Sequence, residues 1–267
     1  MKIGHLIAAL LIAAAPNSGA IVIRDDVPDA RYRVAGSDIP ALADLPEEGH
    51  GVLISKQWVV TAGHAVRWGT PKFVEINGKR RAVSMMVVNP GFKMPSKNLL
   101  SMSGDAAPLM AALEANDDIA LLKLAEPIED VRPLLRYDGS NELGKLVKIY
   151  GKGATGNGAV GQYPNSPHRG ELRRACNRII KADGKWLAYR FDAPPNAEPL
   201  EGMLGDGDSG GPVLMEENGV WKLVGLADWK FWQGELSKFR PGIYGEISYH
   251  VRVSYYREWI DGVIATH

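Results

Sequence analysis

GDGDSGGPV occupies residues 205–213, and what surrounds its Ser209 separates two architectures. Gly207 to Gly211 fits G-x-S-x-G, the pattern of a serine raised on a sharp strand-to-helix turn, which needs a helix directly after the serine. Gly210, Gly211 and Pro212 follow instead, and glycine and proline are the poorest helix formers. The stretch therefore reads as a glycine-rich loop. Its four glycines let backbone N–H groups approach a ligand closely. A tight turn alone explains neither Asp206 and Asp208 nor the serine held among glycines.

The surrounding chain is strand-like. Val52–Ile54 and Trp58–Thr61 are apolar runs split by a polar turn, and Lys72–Ile76 and Arg81–Val88 flank Asn77-Gly78, a hairpin signal because both turn positions need positive φ. Ile119–Leu124, Leu146–Tyr150, Trp186–Phe191, Trp221–Leu226 and Ile243–Ile247 continue the pattern. Residues 131–144 are rich in turn formers and read as a crossover. Residues 93–115 read as an inserted surface loop with a short helical piece near Ala106–Ala115. At the end the period changes: Val253, Tyr256, Ile260 and Val263 share one helical face.

Residues 1–20 are set apart. A positive start at Lys2, ten apolar residues from Leu6 to Ala15, and small residues at Ser18 and Ala20 follow the order of a secretory leader. The apolar run is short for a membrane span, which needs about 20 residues. A secreted or periplasmic location is expected. The 267-residue chain balances 31 basic against 31 acidic residues, so no field favours nucleic acid or an anionic membrane. The single cysteine, Cys176, cannot form an intrachain disulfide and reads as an apolar filler. No histidine or cysteine spacing suggests a metal, no glycine-rich motif suggests a nucleotide, and no cofactor is expected. His50, His168 and His250 read as surface or structural.

Serine is a poor nucleophile without a base, and the base needs a partner to hold its tautomer. QWVVTAGHAV places His64 just after an apolar strand, and NDDIALLKL places Asp118 at the opening of another. TAGH (61–64), DIALLKL (118–124) and GDSGGP (207–212), in that order, resemble the three signatures of the chymotrypsin-like, or trypsin-like, serine peptidases. QWVVTA before the histidine, GLADW (225–229) and RPGIY (240–244) extend the likeness over nearly the whole chain.

The resemblance implies an all-β fold of two antiparallel β-barrels with a C-terminal helix. The implied division is a leader over 1–20, a first barrel with the histidine and aspartate over 21–135, a second with the serine over 136–251, and the helix over 252–267. It implies an endopeptidase working through an acyl-enzyme on protein or peptide substrates, with a protein inhibitor as a candidate further partner. Ser209 would attack, His64 would carry the proton, Asp118 would orient His64, and the N–H groups of Gly207 and Ser209 would form the oxyanion hole. Asp208 would pair with a new N-terminal ammonium. Loss of the leader would free Ile21, which resembles the family's apolar terminus, although Ile23 and Arg24 stand where glycines are usual.

Other departures concern the disulfides and the substrate pocket. Gly49 and Ala65 stand where the family staples its histidine loop, and Gly205 replaces a cysteine beside the serine. Met203 falls where an acid would select Lys or Arg. With Leu204 beside it and Gly242 on another wall, the pocket suits an apolar or small side chain. Asp228 replaces a serine beside the catalytic aspartate and either points outward or holds a proton, since adjacent carboxylates raise one another's pKa. Lys230, after Trp229, replaces a glycine and either narrows the groove or pairs with acids. Two rival readings remain: a catalytically inactive binding protein on the same fold, and an α/β-hydrolase-type esterase using Ser209, Asp228 and His250 in that order.

Overall fold

A computed structural model describes residues 20–101, 103–167 and 169–267. The expected leader lies outside the described residues except for Ala20, and His168 lies outside them too. Turn chemistry and alternation build the first barrel. Asn77 and Gly78 take φ of 52° and 70°, as a two-residue hairpin needs, and join Phe73–Ile76 to Lys79–Val88. The closed order is Leu42–Asp44, His50–Ser55, Trp58–Thr61, Ala120–Leu124, Lys79–Val88 and Phe73–Ile76. The second barrel closes in the order Arg173–Asp183, Trp186–Arg190, Ile247–Arg252, Val220–Phe231, Pro212–Glu217 and Leu146–Gly151. All barrel pairings are antiparallel, so the expected fold class is the observed one.

Each barrel has its own core. Val59, Ile76, Leu122 and Leu124 fill the first, and Val147, Leu187, Tyr189 and Val224 fill the second. A third cluster joins them, packing Val60 and Leu121 with Leu214, Leu226 and Val251, and extends to Ile260 and Val263. Burying each such side chain stabilises the fold by about 1.5–3 kcal/mol, so the cleft between the barrels rests on a shared apolar seam. The helix runs Arg257–Thr266. Ile260 and Val263 supply its buried face, while Val253 and Tyr256 are buried in the turn that precedes it.

Two details answer sequence expectations. An ideal Cβ on Gly49 would lie 3.3 Å from that of Ala65, so these positions do face one another as a stapling pair would. Ile243–Ile247 is not a strand: turns at Gly242 and Gly245, with φ of 87° and 91°, delay the strand to Ile247–Arg252. Cys176 is half-buried, and burial raises its thiol pKa, which suppresses the reactive thiolate. Among the described residues no helix is long and apolar enough to cross a membrane.

Candidate active site

Strand register brings the first pair together. Thr61, at the exit of one strand, pairs with Ala120, at the entrance of its neighbour. The chain leaving Thr61 turns at His64–Val66, and Asp118 lies just before Ala120, so both side chains occupy one rim of the first barrel. His64 Nδ1 lies 2.9 Å from Asp118 Oδ2, and the His64 backbone N–H donates to Asp118 Oδ1 at 2.7 Å. Asp118 is buried, while Asp117 faces the other way and accepts from Lys185 Nζ and Tyr256 Oη.

The second barrel brings the serine across the cleft. Ser209 Oγ lies 2.7 Å from His64 Nε2. Its loop is tied to both barrels: His50 N–H donates to Ser209 O, and Gly210 N–H donates to Ala227 O, each at 2.7 Å. Gly207 takes φ of 90°, in the left-handed region. Neither the Gly207 nor the Ser209 amide donates to a protein acceptor among the described residues. The arrangement is a hydroxyl, an imidazole and a carboxylate in one hydrogen-bonded chain, and the Gly207 and Ser209 amides of the same loop are unspent among the described residues.

Asp208 points away from the cleft and is fully buried. Its oxygens accept from Gly153 N–H and Gly205 N–H, each at 2.7 Å, and His50 Nε2 lies 3.9 Å away. His50 is itself buried, with Nδ1 3.0 Å from Asp44 Oδ1; Lys152 donates its backbone N–H to His50 Nε2 and its ammonium to Asp44. Burial raises the Asp208 pKa, opposed first by His50. Ile21 is also buried, with its carbonyl accepting from Thr155 Oγ1, and Val22–Ile23 pairs with Gly202–Met203. Sequence reasoning did not find the His50, Lys152 and Gly153 cradle, because three distant segments supply it.

A cavity of about 240 Å³ opens beside Ser209 and is lined by Leu204, Asp228, Trp229 and Lys230 together with Met110 from the insertion. Met203 and Gly242 do not line it; Met203 sits in the second barrel's core, and Gly242 N–H is bonded to Glu246. Lys230 Nζ reaches Asp206 Oδ1 at 2.7 Å, with its own side chain only 6% exposed. Trp229 stacks on Tyr249 at 4.1 Å. The insertion carries helices Lys97–Leu100 and Ala107–Glu114 and docks on this cavity: Ala106 N–H donates to Gly234 O, Leu236 N–H donates to Gly104 O, and Trp232 N–H reaches Met110 Sδ.

Asp228 points inward. Its Oδ1 lies 3.6 Å from His64 Nδ1. Burial, and then the neighbouring Asp118, raise its pKa well above the usual carboxylate range. His64, Asp118 and Asp228 bring one ligand atom each within 4.8 Å of one another, a spacing that a metal ion tolerates. A metal on Nδ1 would place the neutral imidazole's proton on Nε2 and remove the acceptor facing Ser209.

A family model described as Trypsin matches residues 33–260. Over full-length alignment the chain is 29% identical to Trypsin II-P29 of Gallus gallus, covering 100% of both proteins. It is 26% identical to Transmembrane protease serine 11G of Rattus norvegicus, covering 78% of this chain and 47% of that protein. It is 27% identical to Transmembrane protease serine 11C of Mus musculus, covering 78% and 46%. The chain thus spans about half the length of these two transmembrane relatives.

Proposed function

The chain belongs to the trypsin family, and from that premise we propose that it is a serine endopeptidase that cleaves peptide bonds through an acyl-enzyme. The observation that carries this reading is the continuous hydrogen-bonded chain from Asp118 through His64 to Ser209. In the proposed reaction Ser209 Oγ attacks the scissile carbonyl as His64 Nε2 takes its proton. Asp118 holds the Nδ1–H tautomer and stabilises the imidazolium. The carbonyl oxygen, now an anion, receives the Gly207 and Ser209 N–H groups, each donor of this kind lowering the barrier by about 2.7–4 kcal/mol. His64 then delivers its proton to the leaving amine, and water repeats the sequence on the acyl group.

The substrate is a protein or peptide. Leu204, Trp229 and Met110 favour a small or apolar side chain in the cavity, and the Lys230 ammonium, already held by Asp206, offers a substrate cation nothing. Export through residues 1–20 is part of the reading. So is pairing of a freed Ile21 ammonium with Asp208, supported by the burial of both residues and by the raised Asp208 pKa, which marks a carboxylate short of counter-charge.

A fluorophosphonate probe tests the reading. The folded protein is expected to be labelled covalently, and Ser209→Ala is expected to abolish labelling. A folded wild type that takes no label would support the inactive binding protein instead. Labelling that persists in Ser209→Ala would remove Ser209 as the nucleophile.

A further inference from the structure

We propose that Asp228 carries a proton in the resting enzyme and donates it to Asp118, so that one negative charge rather than two stands beside His64. Its consequence for turnover rests on the peptidase reading; the proton itself does not. Asp118 and Asp228 are both buried, and one carboxylate oxygen of each lies within 4.8 Å of the other. Two carboxylates this near each other can share a hydrogen bond only if one holds a hydrogen. Two desolvated anions side by side would carry a large electrostatic cost.

The hydrogen-bond partners place the proton on Asp228. Both Asp118 oxygens face donors from His64, one from its backbone and one from its ring. Protonating Asp118 would weaken both bonds. Asp228 Oδ2 has no partner, and its Oδ1 lies at 3.6 Å from the imidazole, beyond hydrogen-bond reach. Neutralising Asp228 therefore sacrifices no contact. The groups facing it are Asp118 and His64 from the first barrel and, more distantly, the Tyr256 phenol, which is bonded to Asp117. Lys230, two residues along the same strand, spends its ammonium on Asp206. Among the described residues His64 is the one cationic candidate within ion-pair distance.

Asp228 is thus a positioning residue. Its hydrogen bond fixes the carboxylate that orients His64. As pH rises and Asp228 loses its proton, a second anion strengthens the hold on the imidazolium, and His64 gives its proton to the leaving amine more reluctantly. The basic side of the kcat profile then carries an ionisation that belongs to the buried pair.

Infrared spectroscopy of the full chain, paired with kcat measured across pH, tests this. Wild type at neutral pH is expected to show a protonated-carboxyl band that shifts in heavy water and loses intensity in Asp228→Asn, the remainder belonging to Glu201 and Glu246, which burial raises to about 7. In Asp228→Asn, the basic-side ionisation of kcat is expected to vanish. Asp228→Ala removes the donor to Asp118 and is expected to lose about tenfold more kcat than Asp228→Asn, whose amide N–H replaces the donor. A wild-type spectrum without that band overturns the proposal even if neither variant folds. So does a band, or a basic-side ionisation, that survives unchanged in Asp228→Asn. Because the infrared measurement needs no turnover, failure here leaves Ser209 labelling intact, and failure of that labelling leaves the band intact.

Discussion

The first barrel packs Val59, Ile76, Leu122 and Leu124 around an apolar core, and its buried polar side chains are His50, Thr61, Asn116 and Asp118. The second buries Arg173, Glu201, Asp208, Asp228, Lys230, Glu246 and His250. Of the first barrel's buried polar groups, His50 reaches across to the serine loop, and Asp118 stands within 4.8 Å of the second barrel's Asp228. The difference separates two tasks. The first barrel is a dry, stiff mount for a base and its orienting acid. The second holds a loop of backbone amides against buried charge, so pH acts on it first.

The largest effect should come from the dry side. Asp118→Asn removes no apolar contact and leaves the first barrel folded. It offers His64 an amide in place of a carboxylate, which favours the wrong tautomer, and turnover should fall about 10⁴-fold. Steady-state kinetics on a peptide substrate checks this, with circular dichroism to confirm folding. Turnover within tenfold of wild type would mean that the first barrel's contribution is only a scaffold.

The next effect tests the second barrel's amides. A Cβ at Gly205 would sit 1.9 Å from the Ala154 carbonyl oxygen, too close for any side chain. Gly205→Ala must move the backbone whose N–H holds Asp208 Oδ2, and that movement reaches Gly207 two residues on. The expected result is a fall in kcat of about 10²–10³-fold, the cost of one oxyanion donor, with smaller change in KM. If kcat is unaffected, the Asp208 cradle does not govern the loop.

How much was legible in the sequence follows the same division. In the first barrel His50–Ser55, Trp58–Thr61 and Ala120–Leu124 are short runs rich in apolar residues, a plain hairpin turn marks Phe73–Ile76 and Lys79–Val88, and the two site residues sit beside the apolar runs, while Leu42–Asp44 is too short to show a pattern. Arg173–Asp183 was missed because Arg174, Arg178 and Lys181 interrupt its apolar residues, though Arg173, Ala175, Asn177 and Ile179 alternate inward. Ile243–Ile247 was misread because Ile243 and Tyr244 supply strand-like side chains while the glycines on either side impose turns. At the site, His64, Asp118 and Ser209 were legible because each sits in a local motif. Asp228 was visible as an unusual residue, but its direction was not, and the docking of the 93–115 insertion beside Trp232 left no local trace.

The last effect, which is nil at neutral pH, isolates one buried group of the second barrel. His250 is fully buried, stacks on Tyr189 at 4.5 Å, and leaves both ring nitrogens without partners. Burial drives its pKa down to about 3 from 6.5. Above pH 6.5 the imidazole is neutral in folded and unfolded chains and contributes no pH dependence. As pH falls from there toward 3, the unfolded chain takes a proton that the folded chain refuses, and stability declines. Glu201 and Glu246 act in the opposite sense: burial raises both to about 7 from 4.5, so over that window acid favours the folded state. Wild type alone would blur the two trends, and His250→Phe separates them by keeping the stacking and deleting the titration. Urea unfolding of both proteins should show little pH-dependent difference near neutrality. Below pH 6.5 a gap should open in favour of the variant, approaching about 1.4 kcal/mol per pH unit. Parallel stability curves for the two proteins down to acid pH would show that His250 is protonated in the fold and would remove it from the contrast between the barrels.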